Sequence, residues 1–142
     1  MKRIALTILI PLLLASCSKS DNADRTCNFL LDVGVALPIN LNLPQYSQLQ
    51  FPSSPIYIAG QGNKGIIVMN TGTSFVAWDA SDPNHSPNTC STLQIDGALA
   101  VCGCEDNEYI ILTGQPNNDG TLRCGLKPYR VEASGNELFI SN

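Results

Sequence analysis

The chain has little charge, a single His, a single Trp and no sustained helical period. Asp, Glu, Lys and Arg make up 14% of it, and 12 acids against 8 bases give a formal charge of −4. Scattered bases on an acidic chain leave no electrostatic footprint for nucleic acid, which excludes that partner class. The lone His85 excludes any centre that requires two imidazoles. No Cys-x-x-Cys-His occurs, so covalent haem is excluded too. No window keeps a 3.6-residue apolar period over several turns, and no segment repeats.

What is present points to β structure. Short apolar runs are punctuated by turn residues, 11 Gly and 9 Pro among them. Strands are predicted over Val33–Leu43, Ile56–Ala59, Gly65–Asn70, Phe75–Asp79, Leu93–Ile95 and Leu99–Cys102. Three more are predicted over Tyr109–Thr113, Tyr129–Glu132 and Leu138–Ser141. Asp96-Gly97 predicts a type I′ hairpin, Thr71-Gly72 a turn before Phe75, and Ser134-Gly135-Asn136 the last hairpin. Pro38, Pro44, Pro52 and Pro55 restrict the N-terminal third to edge strands and extended loops, because proline cannot donate to a sheet ladder. Asn117-Asn118-Asp119 is read as a polar loop rather than a calcium site, and Trp78 as core packing.

The N-terminus carries targeting information. Met1-Lys2-Arg3 is a short basic start, and the apolar run Ile4–Leu14, broken by Pro11, is too short to serve as a membrane-spanning helix. It ends in Leu14-Ala15-Ser16-Cys17, which resembles the lipobox of bacterial lipoproteins. The resemblance implies a signal peptide over residues 1–16, removed before Cys17, with Cys17 lipidated and the membrane as a partner through that lipid. Loss of Lys2 and Arg3 leaves six bases against twelve acids. Residues 17–27 read as the lipidated Cys and a polar tether, and 28–142 as one domain of about 115 residues, enough for a modest core. Ser18 resembles the residue that sorts such proteins to the outer membrane, so the expected location is the bacterial cell envelope.

An exported chain meets an oxidising compartment, where disulfides are expected. With Cys17 lipidated, Cys27, Cys90, Cys102, Cys104 and Cys124 remain. Five is odd, so a monomer leaves at least one of them outside a disulfide.

Phe75-Val76-Ala77-Trp78-Asp79, then Asp82-Pro83-Asn84-His85, then Cys102-Gly103-Cys104-Glu105, together resemble a Rieske iron–sulfur domain. So does Leu126-Lys127-Pro128-Tyr129-Arg130-Val131 before the final hairpin. The resemblance spans about Gly65 to Ser141. It implies an all-β domain of short antiparallel strands in which two loops form a subdomain of the cluster-binding type. In that family two thiolates hold one iron and two imidazoles the other. Carried over, His85 matches the first-box His and Cys102 the second-box Cys. Asp82 stands where the first-box Cys belongs, and Glu105 where the second-box His belongs. His85 also lies three positions after the first residue of its box instead of two. Asp and Glu put hard oxygens where the cluster selects thiolate and imidazole. Asp82, His85, Cys102 and Glu105 are therefore read as vestigial ligand positions.

The resemblance further implies a loop-joining disulfide between Cys90 and Cys104, a loop of about 15 residues worth about 3 kcal/mol in the chain-entropy model. Cys27 and Cys124 are then the residual pair, and Cys102 is left over.

Other readings compete. A zinc site of His85, Cys90, Cys102 and Cys104 would use a Cys-x-Cys step shorter than the usual ligand spacing, and oxidation competes for its thiols. Thiol–disulfide exchange at Cys102-Gly103-Cys104 is opposed by Glu105 and Asp106, which disfavour a thiolate. Rieske oxygenases carry a further catalytic domain with its own iron, for which this chain has no room. The expectation is a lipid-anchored envelope protein with a degenerate Rieske-type domain, in a structural or binding role. No catalytic residue, metal or cofactor is expected, and the protein partner is open. The alternatives are an electron-transfer module with an atypical 2Fe–2S cluster and a thiol-redox protein.

Overall fold

The computed structural model describes residues 27–118 and 120–142. The leader, Cys17, most of the tether and Asp119 lie outside the described residues. Among the described residues nine strands run in order: β1 (Ala36–Asn40), β2 (Ile56–Ile58), β3 (Ile66–Asn70), β4 (Phe75–Asp79), β5 (Leu93–Asp96), β6 (Leu99–Cys102), β7 (Glu108–Ile110), β8 (Pro128–Ser134) and β9 (Glu137–Ser141). They form a six-stranded sheet in the order β1-β9-β8-β4-β3-β2 and a three-stranded sheet in the order β5-β6-β7. Every pairing is antiparallel. No helix among the described residues is long and apolar enough to cross a membrane.

The apolar run Ile66-Ile67-Val68-Met69 explains the layering. Successive side chains of a strand point to opposite faces. Ile66 and Val68 therefore enter one core, with Ile39, Leu49, Leu138 and Ile140, while Ile67 and Met69 enter a second, with Leu93, Ala100, Tyr109 and Ile111. The second core glues the small sheet to the large one. Both loops of interest leave this junction. One runs from the end of β4 to β5, and the other joins β6 to β7.

Each predicted strand has an observed counterpart, but three local expectations are corrected. The long strand expected over Val33–Leu43 is cut to Ala36–Asn40. Asn40 turns the chain by accepting the Asn42 N–H on its side chain (2.9 Å) and the Leu43 N–H on its carbonyl (3.0 Å). A 3-10 helix over Pro44–Gln50 follows, started by a Pro in its first turn, where a missing N–H costs nothing. It buries only Leu49, so no apolar period announced it.

The strand expected over Tyr109–Thr113 stops at Ile110, whose carbonyl instead takes the N–H groups of Thr113 and Gly114. The β5–β6 turn is also of another type. Asp96 pairs with Leu99, so the central residues are Gly97 and Ala98, and only Gly97 (φ 59°) has positive φ. That is the II′ pattern, with Gly at the first centre, not I′. Of the prolines expected in edge strands and extended loops, Pro44 departs, since it opens the 3-10 helix. Pro38 lies in β1, an edge strand, and Pro128 is the first residue of β8.

Candidate metal and thiol site

The first loop is shaped by its own polar side chains. Asp82 Oδ1 accepts the N–H of Asn84 (2.8 Å), and the Asn84 amide exchanges hydrogen bonds with the backbone of Cys124 (2.8 and 3.1 Å). Asn88 Oδ1 accepts the Cys90 N–H (2.9 Å), and the Asp82 N–H reaches the Ser91 carbonyl (3.0 Å). These contacts place the Asp82 carboxylate inside the protein, fully buried. Burying a charge is tolerated only with strong partners. Asp82 has them. Tyr109 on β7 donates its hydroxyl to Oδ1, Asn84 Nδ2 donates in turn to the Tyr109 oxygen (2.7 Å), and Asn107 Nδ2 donates to Oδ2 (2.8 Å). Burial first, then the Asp82 hydrogen bond, pushes the Tyr109 hydroxyl far above its ordinary range.

His85 follows one helical-type step after Asp82, and its Nε2 lies 3.5 Å from Asp82 Oδ2. The same nitrogen lies 3.4 Å from the sulfur of Cys102 at the end of β6. The other ring nitrogen, Nδ1, is 2.9 Å from the Ser86 carbonyl. A carbonyl can only accept, so Nδ1 carries a proton and the neutral ring keeps its lone pair on Nε2. Cys102 is buried and is the free cysteine among the described residues. Burial pushes its thiol up. The backbone N–H groups of Cys104 and Glu105 pull the other way, and the Asp82 carboxylate adds to the rise.

Cys90 is bonded to Cys104, with a Cα–Cα separation of 5.1 Å, and Cys27 to Cys124, with 5.5 Å. Both separations lie within the range a disulfide requires. The first bridge staples the two loops, and the second ties the N-terminal segment to the chain before β8. The sulfur of Cys104 lies within 4.8 Å of both the Cys102 sulfur and a His85 nitrogen, but it is committed to Cys90.

Three of the four positions read as vestigial ligands therefore converge: Asp82, His85 and Cys102. Glu105 does not join them with its side chain. It is exposed, and its carboxylate takes only a 3.4 Å contact from Asn107. It lines a surface depression together with Phe29, Leu122 and Cys124. Trp78 packs on the second core as expected and donates Nε1–H to the Ile111 carbonyl (2.7 Å). The sequence reading missed Tyr109, Asn84 and Asn107. Asn84 bonds Asp82 locally, two residues on, whereas Tyr109 and Asn107 stand in unremarkable contexts and become its partners only where β7 and the loop before it meet the first loop.

The donor set does not fit a Rieske 2Fe–2S centre. That centre puts thiolate and imidazole on different irons. Here the Cys102 sulfur and the His85 nitrogen are in direct contact at 3.4 Å. Among the described residues, Cys102 and His85 are also the only uncommitted donors of the required types at the site, one of each where two are needed.

No family model matches the chain, and no curated protein matches it. Solved structures do. A chain from a complex of reduced oxygenase and oxidized ferredoxin in carbazole 1,9a-dioxygenase superposes at a TM-score of 0.51 with 19% identity, covering 75% of this chain and 93% of that one. A ferredoxin from Sphingomonas yanoikuyae B1 gives a TM-score of 0.47 with 16% identity, covering 73% and 99%. The ferredoxin of carbazole 1,9a-dioxygenase from Nocardioides aromaticivorans IC177 gives 0.46 with 17% identity, covering 72% and 95%. At these identities the likeness is one of fold. The all-β, Rieske-like ferredoxin architecture expected from the two boxes is the architecture found.

Proposed function

We propose that this chain is a lipid-anchored module of the bacterial envelope that keeps the Rieske-like scaffold for a structural or binding role and carries no 2Fe–2S cluster. The observation behind this reading is the 3.4 Å contact between His85 Nε2 and Cys102 Sγ, which closes the space two irons would need. Asp82 supports it. A carboxylate held by Tyr109, Asn84 and Asn107 is integrated into the fold as a hydrogen-bond acceptor in place of a soft ligand. The Cys90–Cys104 staple holds the two loops together without a metal.

Likeness to a ferredoxin-containing complex favours electron transfer as the second reading. Maturation of the full chain with iron and sulfide separates the two. The proposal expects no visible charge-transfer absorbance, and stoichiometric iron and sulfide with a visible spectrum would establish the electron carrier. Anchoring is tested separately. The chain should partition with membranes and detergent, and Cys17→Ser should release it to the aqueous phase.

A further inference from the structure

We infer that Cys102, His85 and Asp82 form a mononuclear binding site for a borderline-soft divalent ion of the zinc type. Three observations carry it. The first is distance. Donors about 2.0–2.3 Å from one tetrahedral Zn²⁺ stand about 3.3–3.8 Å from each other. His85 Nε2 lies 3.4 Å from Cys102 Sγ and 3.5 Å from Asp82 Oδ2, so one nitrogen stands at ligand spacing from both other donors.

The second is direction. The Ser86 carbonyl holds the proton of His85 on Nδ1, so the neutral ring turns the Nε2 lone pair toward the other two donors. A carbonyl fixing the far nitrogen is the usual support for a ligating imidazole. Asp82 Oδ2 takes one hydrogen bond, from Asn107, which leaves a lone pair on that oxygen.

The third is charge. One thiolate, one carboxylate and one neutral imidazole around a divalent ion sum to zero, which is what a buried site requires. A thiolate beside an imidazole also selects zinc-type ions over calcium or magnesium. Binding sends the Cys102 thiol proton to solvent. With Cys104 bonded to Cys90, the chain supplies three donors and leaves the fourth position to water or a small anion.

This site rests on the absence of a 2Fe–2S cluster, since both would claim His85 and Cys102. The test uses the full chain with its disulfides intact, in anaerobic buffer without reductant, offered Co²⁺ in the native state and during refolding. The expected result is one ion per chain with a thiolate-to-cobalt charge-transfer band, displaced by Zn²⁺. Cys102→Ser should abolish the band, and His85→Ala should weaken binding by at least the factor of about 10–100 that loss of a ligand's supporting partner costs. Glu105→Gln should bind as the parent does. Trp78 fluorescence checks that each variant is folded. Failure to bind Co²⁺ in either loading overturns the inference, as does binding that survives Cys102→Ser. A 2Fe–2S spectrum after iron and sulfide maturation would instead overturn the cluster-free reading on which the site rests. A chain that takes neither leaves that reading standing and removes only the metal site.

Discussion

Tyr109 donates its hydroxyl to Asp82 across 27 residues of sequence, and Tyr129 does the same for Asp79 across 50, at 2.6 Å. Asp79 and Asp82 are both fully buried and lie on the same short segment at the end of β4. Asp79 also takes the backbone and side-chain N–H groups of Asn63, each at 2.8 Å. Two buried carboxylates thus bolt the segment leading into the first loop, one to β8 and one to β7.

The bolts have a measurable strength. Tyr109→Phe removes one charge-assisted hydrogen bond from Asp82 and is expected to cost about 1.5–3 kcal/mol. Asp82→Ala strands Tyr109, Asn84 and Asn107 together and should cost more. Urea unfolding of the two single variants and the double variant should give clearly non-additive losses. Additive losses would mean that Tyr109 and Asp82 do not act as a pair.

Stability is expected to fall on the alkaline side. Tyr109, Tyr129 and Cys102 all hold their protons more tightly in the folded chain, each chiefly because burial disfavours its anion. The native state therefore binds more protons than the unfolded state above the ordinary pKa of each group. The stabilisation is complete below about pH 9. It declines as pH rises past the ordinary thiol value of 9.0 and then the phenol value of 10.0. Urea midpoints at pH 8, 9.5 and 10.5 should decrease in that order. Cys102→Ser should flatten the first part of the fall, and a pH-independent midpoint would contradict the assignment.

The two disulfides should differ in weight. Cys27–Cys124 spans 97 positions and Cys90–Cys104 spans 14. In the chain-entropy model these loops are worth about 4.7 and about 3 kcal/mol. Replacing both cysteines of a pair by Ser should lower the thermal midpoint more for the first pair than for the second. The second replacement should loosen the site more, seen as faster alkylation of Cys102 in the folded protein. Equal Cys102 protection with and without the Cys90–Cys104 bridge would show that the staple does not hold the loops.

Gly114 marks a close approach. Its φ is 69°, and a Cβ there would run into the ring of Trp78. Gly114→Ala combines a strained backbone with overpacking and is expected to cost about 2–3 kcal/mol. Because Trp78 is the only tryptophan, its emission should shift as the ring is pushed away from the Ile111 carbonyl. Unchanged emission and stability would show that the ring is not packed against this turn.

The strands were legible because their signals are local. Phe75–Asp79 and Leu99–Cys102 fall where the sequence reading put them. The 3-10 helix at Pro44–Gln50 was not legible, because seven residues with one buried side chain leave no period to read. The turn after Ile110 was not legible either, since the residues around it look equally fit to continue a strand. At the site, the two boxes identified His85 and Cys102 by their matching positions, but nothing near Tyr109 or Asn107 announced a role beside Asp82.

The sequence by itself determined the class of the domain and the chemistry on offer at the two boxes: one imidazole, an odd set of thiols, and carboxylates where soft ligands would stand. Periodicity, turn residues and side-chain chemistry are properties of neighbours along the chain, so they survive without coordinates. Only the tertiary structure decided which of those groups meet. It turned Asp82 inward onto Tyr109, left Glu105 in solvent, and brought the His85 nitrogen to 3.4 Å from the Cys102 sulfur. That distance depends on how the small sheet packs on the large one through Ile67, Met69, Leu93 and Ile111. Such packing is a sum of many weak contacts between distant segments, and no stretch of sequence contains it.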